Sequence, residues 1–369
     1  MTSELETARP EALDPRDEHL EKRRRVMALL DAENLGAVAL TSQPALAWYL
    51  GGARTHVNLA APPIVAAVVS REGDRVHVTS NEAHRLGAEE LPAWAELVEH
   101  PWHASVVTEA EAEALSAGGA AEFRLEAGLR AARQQLTPAE VGRYRELGAD
   151  VARLLTRALA AAAPDLTELE LAARVTAGIV ELGAEPTVVL VGGASRVSDR
   201  HPLPTTAPLG DRAMVVVCAR RHGLILNATR WVRFGTRGPE ERDADRRILE
   251  VEAAYLAASR PGGTLAEAFA AGTAAYALNG FGPDEWTRHH QGGVAGYAGR
   301  DPRAAPGVDV ALGTNVALAW NPTGPGCKVE DTILSTDAGF EVLSVDPAWP
   351  AVTVHVAGQA LARPDVLEL

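Results

Sequence analysis

Along the chain, short apolar runs with a period of two alternate with longer stretches whose apolar positions recur every three to four residues. Residues 1–15, rich in Glu, Pro and Asp, show neither pattern and read as a flexible leader. A helix is expected at about Glu18 to Glu33. Strands follow at Gly36–Leu40, Ala47–Leu50, Ile64–Ser70 and Arg75–Thr79, then helices at Glu109–Leu115 and Ala127–Arg133. This pattern predicts an N-terminal α/β domain over residues 16–135, with no Gly-rich phosphate loop.

From residue 136 to 369 the pattern changes to a duplication that capping chemistry makes visible. Thr137-Pro138-Ala139-Glu140, Thr167-Glu168-Leu169-Glu170 and Thr264-Leu265-Ala266-Glu267 each have the form of a capping box. In such a box the Thr hydroxyl satisfies a helix amide and the Glu reaches back to the cap. A fourth helix starts at Pro239 and is closed by Pro261-Gly262-Gly263. A long helix and a shorter one therefore precede strands at Val188–Val191, Ala213–Cys218 and Leu224–Val232. The same order recurs before strands at Asn315–Trp320 and Val329–Ser335. Two helix-helix-hairpin halves imply an α+β domain with pseudo-twofold symmetry, helices on one face of the sheet and a cleft between the halves.

Composition narrows the partners. With 49 acidic against 35 basic residues the formal charge is −14, which disfavours nucleic acid and anionic membrane surfaces as partners. Two cysteines, Cys218 and Cys327, exclude a disulfide framework, and no apolar run is long enough to span a bilayer. A cytoplasmic protein is expected. Only two of the basic residues are lysines, Lys22 and Lys328, so Lys328 stands out within Cys327-Lys328-Val329-Glu330-Asp331-Thr332.

Four polar clusters carry candidate chemistry. Ser198-Asp199-Arg200-His201-Pro202-Leu203-Pro204 is a loop whose prolines hold the chain extended and present one imidazole. Cys218 and Asn227 flank a short turn, at Ala219 to His222, between two apolar strands. Arg288-His289-His290-Gln291-Gly292-Gly293 leads to Tyr297, Arg300 and Asp301. In a strand the adjacent histidines point to opposite faces, so at most one lines the cleft. The glycines there favour a ligand approaching the backbone. The fourth cluster joins Trp320-Asn321-Pro322 to Lys328 and Glu330, where alternation puts Lys328, Glu330 and Thr332 on one face.

Taken in order, these clusters resemble the pita-bread family of Xaa-Pro aminopeptidases, prolidases, methionine aminopeptidases and creatinase, over about Arg23 to Asp337. Trp48-Tyr49-Leu50-Gly51-Gly52 is similar to the first-domain signature of the prolidase and creatinase branch. Leu209-Gly210-Asp211 is similar to the residues before the first metal-ligand strand. The resemblance implies two Asp, one His and two Glu around a pair of divalent ions. Here the first Asp position falls on Cys218, or on Val216 with a different gap, and the second on Asn227. The ligand His falls near Gly292, the first Glu on Asn321, and only Glu330 stands as a carboxylate.

Creatinase, which lacks the metal ligands and hydrolyses a C–N bond by acid-base chemistry, has its catalytic histidine in the loop matching His201. The resemblance therefore implies a metal-independent hydrolase of a small amidino, ureido or amide compound, with no metal and no cofactor. His201 is the expected proton carrier, Glu330 its acid-base partner and His290 a second carrier. Asn227, Asn321, Cys218, Lys328 and His289 are expected to bind substrate, with Tyr297 and Arg300 anchoring a carboxylate. A single zinc on Cys218, His290 and Glu330 is the metal option set aside. A non-catalytic pita-bread binder and an Xaa-Pro peptidase are the alternatives. Two-domain relatives pair as homodimers, which would send Arg54 toward a neighbour's cleft.

Overall fold

The computed structural model describes residues 15–369, so all of the expected leader except Pro15, which opens the first helix, lies outside the described residues. The first part runs α1 (Pro15–Ala32), β1 (Ala37–Leu40), α2 (Gln43–Tyr49), β2 (Val65–Ser70), β3 (Asp74–Thr79), α3 (Ala83–Arg85), β4 (Glu96–His100), α4 (Val106–Ser116), β5 (Ala120–Ala121) and α5 (Glu126–Gln134). Its five strands form one mixed sheet in the order β4-β3-β2-β1-β5. Ala47–Leu50 belongs to a helix and not to a strand. Ser42 caps α2 by accepting from the Ala45 amide, and Pro44 sits in the first turn, where it lacks only an amide that would be unpaired anyway. Local capping outweighs the β propensity of Trp48 and Tyr49, and all of residues 45–49 are buried.

The second part continues with α6 (Pro138–Ala160), α7 (Glu168–Glu181), β6 (Glu185–Gly192), β7 (Arg212–Arg221) and β8 (Leu224–Arg233). It goes on with α8 (Pro239–Ala258), α9 (Leu265–Leu278), β9 (Gly292–Val294), β10 (Val316–Trp320), β11 (Thr323–Gly324), β12 (Cys327–Lys328), β13 (Ile333–Thr336) and β14 (Gly339–Val342). The chain then closes with β15 (Ala351–Val356), β16 (Gln359–Pro364) and β17 (Leu367–Glu368). All three Thr/Glu capping boxes form. The duplication is present in the strand order: α6-α7 precede β6-β7-β8, and α8-α9 precede β9, β10 and β13, each triplet antiparallel. Equivalent cap residues even make equivalent bridges, Thr167 to Pro208 and Thr264 to Ala311.

Two local expectations give way. The β7–β8 turn is two residues, His222 and Gly223, both at positive φ, as a tight hairpin matching strand twist requires. Residues 329–332 leave the strand, because their backbone turns to β8: the Thr229 amide donates to Glu330 O at 2.9 Å. The C-terminal hairpin β15–β16 was not among the expected elements, although Val352, Val354 and Val356 alternate with Thr353 and His355 and Ala357-Gly358 form its tight turn.

The largest of four apolar clusters runs from Val26, Leu40 and Trp48 through Tyr144 to Val217 and Leu334, joining the N-terminal sheet to the two four-stranded sheets of the second part, and a second cluster packs α8 and α9 on β10 and β13. The β7–β8 turn packs on the first part at Gly52, where an added Cβ would lie 2.7 Å from His222 Cβ and 2.8 Å from its carbonyl oxygen. Gly52 also has φ +97. Gly52→Ala is expected to lower stability by about 1–3 kcal/mol, from strain plus overpacking, measured by chemical denaturation. An unchanged midpoint would mean that this contact is loose.

Candidate functional site

Register places the first group. Cys218 and Asn227 are directly opposite on β7 and β8. The Cys218 Sγ donates to Asn227 Oδ1 at 3.1 Å, and Arg300 Nη1 donates to the same oxygen at 2.8 Å. Arg300 Nη2 donates to Glu330 Oε1 at 2.8 Å. The other carboxylate oxygen, Oε2, lies 3.0 Å from Lys328 Nζ and accepts from Thr229 Oγ1 at 2.9 Å. Glu330 therefore bridges two cations at 2 % exposure. Burial would raise its pKa, but the Lys328 and Arg300 charges outweigh it and hold the carboxyl down to about 2. This corrects its expected acid-base role: a carboxylate with both oxygens engaged and so low a pKa does not exchange protons near neutrality.

The second group is a cluster of imidazoles. His201 Nε2 lies 3.1 Å from His289 Nε2, and the His289 and His290 ring centroids are 4.4 Å apart. The His201 and His290 centroids are 5.6 Å apart. Both adjacent histidines thus face His201, contrary to the strand argument, because they fall between a 3-10 turn at 285–288 and β9 and belong to no strand. Thr323 Oγ1 lies 3.3 Å from His289 Nδ1. Burial pushes all three imidazoles down; Lys328 adds to this for His201 and His289, and Arg300 for His290. His289 falls to about 2 and His290 to about 4.

The loop carrying His201 is pinned at two points. Arg196 pairs with the buried Glu168, and Arg200 pairs with Glu285 and donates to Gly324 O at 2.8 Å, reaching across to the half that carries His289. The segment carrying Arg300 is pinned by the first part: Asp301 accepts from Arg130 and Arg133 at 2.7 Å each. Tyr297 donates to Glu140 Oε1 at 2.5 Å and is 4 % exposed. Tyr297 is thereby a structural residue, and its expected role as a carboxylate anchor does not hold.

Arg300 directs Nη1 to Asn227 and Nη2 to Glu330, so the carboxylate anchor expected of it is left only its Nε, which is buried and has no partner among the described residues. Burial pushes the Cys218 thiol up to about 12, which favours its protonated form. Asn321 is buried and its Oδ1 has no partner among the described residues. Arg54 is paired with Glu90 of its own chain. Gly292 serves close strand packing and not a ligand, since a Cβ there would meet Ala319 O at 2.2 Å.

Sequence reasoning missed Thr229, Thr323 and Arg303. Thr229 was findable as the residue two beyond Asn227 on the same strand face. Arg303 is exposed, and its charge reaches His201 and His290. A cavity of about 430 Å³ beside α8 and the β15–β16 hairpin lies elsewhere; of the ten candidate residues only Lys328 borders it.

The model of metallopeptidase family M24 matches residues 142–337, more than half of the chain. The chain belongs to this family. Dipeptidase PepE from Mycobacterium ulcerans has the same fold, at 19 % identity and a TM-score of 0.72 over 92 % of this chain and 98 % of that one. A prolidase from Thermococcus sibiricus is similar at 14 % identity and a TM-score of 0.73 over 97 % and 100 %. The N-terminal domain of the FACT complex subunit SPT16 from Cicer arietinum is similar at 13 % identity and 0.64 over 90 % and 97 %. No curated protein matches the sequence. The pita-bread fold and the family expected from the clusters are thus the ones found. No helix among the described residues is long and apolar enough to cross a membrane.

Proposed function

We propose that the protein is a hydrolase of a C–N bond in a small amidino, ureido or amide compound, working without the pair of divalent ions that the family name implies. One observation carries this reading: Glu330 is clamped between Arg300 and Lys328. Where the resemblance places the family's ligands stand Cys218, Asn227 and Asn321, which are neutral, and Glu330, which is already neutralised. Hard divalent ions need anionic oxygen donors, so this donor set does not fit them. Two internal cations instead supply positive charge beside the cleft.

In this reading His201, exposed and held by its pinned loop, takes a proton from the attacking water and returns it to the leaving nitrogen. Lys328 and Arg300, fixed by Glu330, favour the negative charge that develops on the substrate as water adds. The unpartnered Asn321 Oδ1 and His290 Nδ1 are polar atoms available to a substrate. The chain would work in a homodimer, as expected from two-domain relatives.

The test is metal analysis of the purified protein, then thermal-shift and turnover screens against guanidino, ureido and Xaa-Pro compounds. Hydrolysis of a guanidino or ureido compound, undiminished by exhaustive chelation, is expected. Activity confined to Xaa-Pro dipeptides and restored by manganese would establish ordinary peptidase chemistry and sink the reading. A non-catalytic binder is favoured by the engaged state of Glu330, which leaves no free carboxylate; ligand-induced stabilisation with no product in any screen would select it.

A further inference from the structure

The three imidazoles at the cleft are used only in part by the proposed reaction, and their arrangement has a second chemical meaning. One ring nitrogen from each of His201, His289 and His290 lies within 4.8 Å of the other two. The closest pair, at 3.1 Å, is near the roughly 3.4 Å that separates two nitrogens bound to one tetrahedral zinc at about 2.1 Å. We propose that His201, His289 and His290 form a binding site for a single borderline transition-metal ion such as zinc, distinct from the carboxylate positions of the family.

The supporting geometry goes beyond proximity. His289 is 8 % exposed, and Thr323 Oγ1 stands 3.3 Å from its Nδ1 while donating its own proton to Asn321 O at 3.0 Å; it can thus accept from Nδ1 and leave Nε2 turned to the cluster, since an acceptor on the far nitrogen orients a ligating histidine. His290 Nδ1 is buried with no partner among the described residues, so this ring has a nitrogen free to bond. His201 is exposed, which gives an ion a way in and leaves a fourth position to water or an anion. All three donors are imidazole nitrogens, the donor set that suits zinc, copper and nickel and not magnesium or calcium.

Charge works both ways here. Lys328 and Arg300 are both paired with Glu330, and Arg303 is exposed to solvent that screens it. Positive surroundings favour an ion that carries hydroxide or another anion in its open position. Filling the site withdraws His201 Nε2 from proton transfer, so on the proposed reaction the ion acts as an inhibitor. The binding itself does not rest on that reaction.

The experiment uses the full-length protein, stripped by a chelator and with no substrate present. It is titrated with Zn²⁺ by calorimetry and analysed for bound metal after gel filtration, while Co²⁺ is followed by visible absorption. One zinc per chain, displacing Co²⁺ with a tetrahedral spectrum, and no binding of Mg²⁺ are expected. His201→Ala and His290→Ala should each weaken zinc by more than the roughly 10–100-fold that loss of a supporting contact costs. His201 is exposed, so its variant keeps the fold and the test stands if a buried variant fails. Absence of stoichiometric zinc, or zinc affinity unchanged in His201→Ala, overturns the site.

Discussion

His201→Ala should lower kcat for C–N hydrolysis by about 10²–10⁴-fold, the usual contribution of a positioned proton carrier, and leave the melting temperature close to that of the parent. The two halves of this expectation come from different observations. The ring is exposed and makes one side-chain hydrogen bond, to His289, so its removal opens no cavity. The loop is held by Arg196 on Glu168 and by Arg200 on Glu285 and Gly324 O, none of which the substitution touches. The loss should therefore fall in kcat more than in KM. His201→Gln, which keeps a polar side chain but cannot shuttle a proton, should not recover it. Turnover unchanged in His201→Ala would remove this residue from the chemistry and with it the proposed reaction.

Lys22→Met should destabilise the protein by about 3–5 kcal/mol, the range for stripping one partner from a buried ion pair. Lys22 is 0 % exposed. Its ammonium donates to Glu18 Oε1 at 2.5 Å and to the Trp48 carbonyl at 2.6 Å, and lies 2.9 Å from Glu140 Oε1. It thus joins α1 and α2 of the first part to α6 of the second. Methionine fills the volume but removes the ammonium that pairs with Glu140 and leaves the Trp48 carbonyl without its donor. The Glu18 carboxyl gives an independent readout. Burial would raise it, yet Arg143 and Lys22 outweigh this and hold it at about 2, against an ordinary 4.5.

A depressed carboxyl contributes stability that is fully present above its unfolded value and lost as pH falls through the folded one. The parent should thus lose about 3 kcal/mol from this one group between roughly pH 5 and 2. Lys22→Met should flatten that slope. Denaturation midpoints across this range check both statements, and a cost under about 1 kcal/mol would show that the network is dispensable. Since Glu140 also accepts from Tyr297, three residues before Arg300, the same variant should loosen the segment that delivers Arg300 to Glu330.

Both lysines of this arginine-rich chain turn out to be buried against carboxylates, Lys22 on Glu18 and Glu140, Lys328 on Glu330. Rarity in the sequence marked Lys328 but could not say what it meets. Legibility differed in kind between fold and site. The capping boxes at Thr137, Thr167 and Thr264 were readable because each is closed within four residues. The helix at Gln43–Tyr49 was not, since its aromatic residues read as strand and only the Ser42 cap argues otherwise. The pairing of His289 with His290 on one side was hidden for a related reason: which way each ring points depends on the backbone between a 3-10 turn and β9.

The sequence by itself determined the α/β order, the duplicated second part, the family, and which residue types stand where the resemblance expects carboxylates. These are local or periodic properties, carried by caps, alternation and motif order. Only the tertiary structure decided that Glu330 is clamped by Arg300 and Lys328, that Tyr297 is tied to Glu140 and the Cys218 thiol to Asn227, and that three imidazoles converge. Arg300 and Glu330, or His201 and His289, lie tens of residues apart. Their pairing is set by how the two halves close and by which charges can be buried only together.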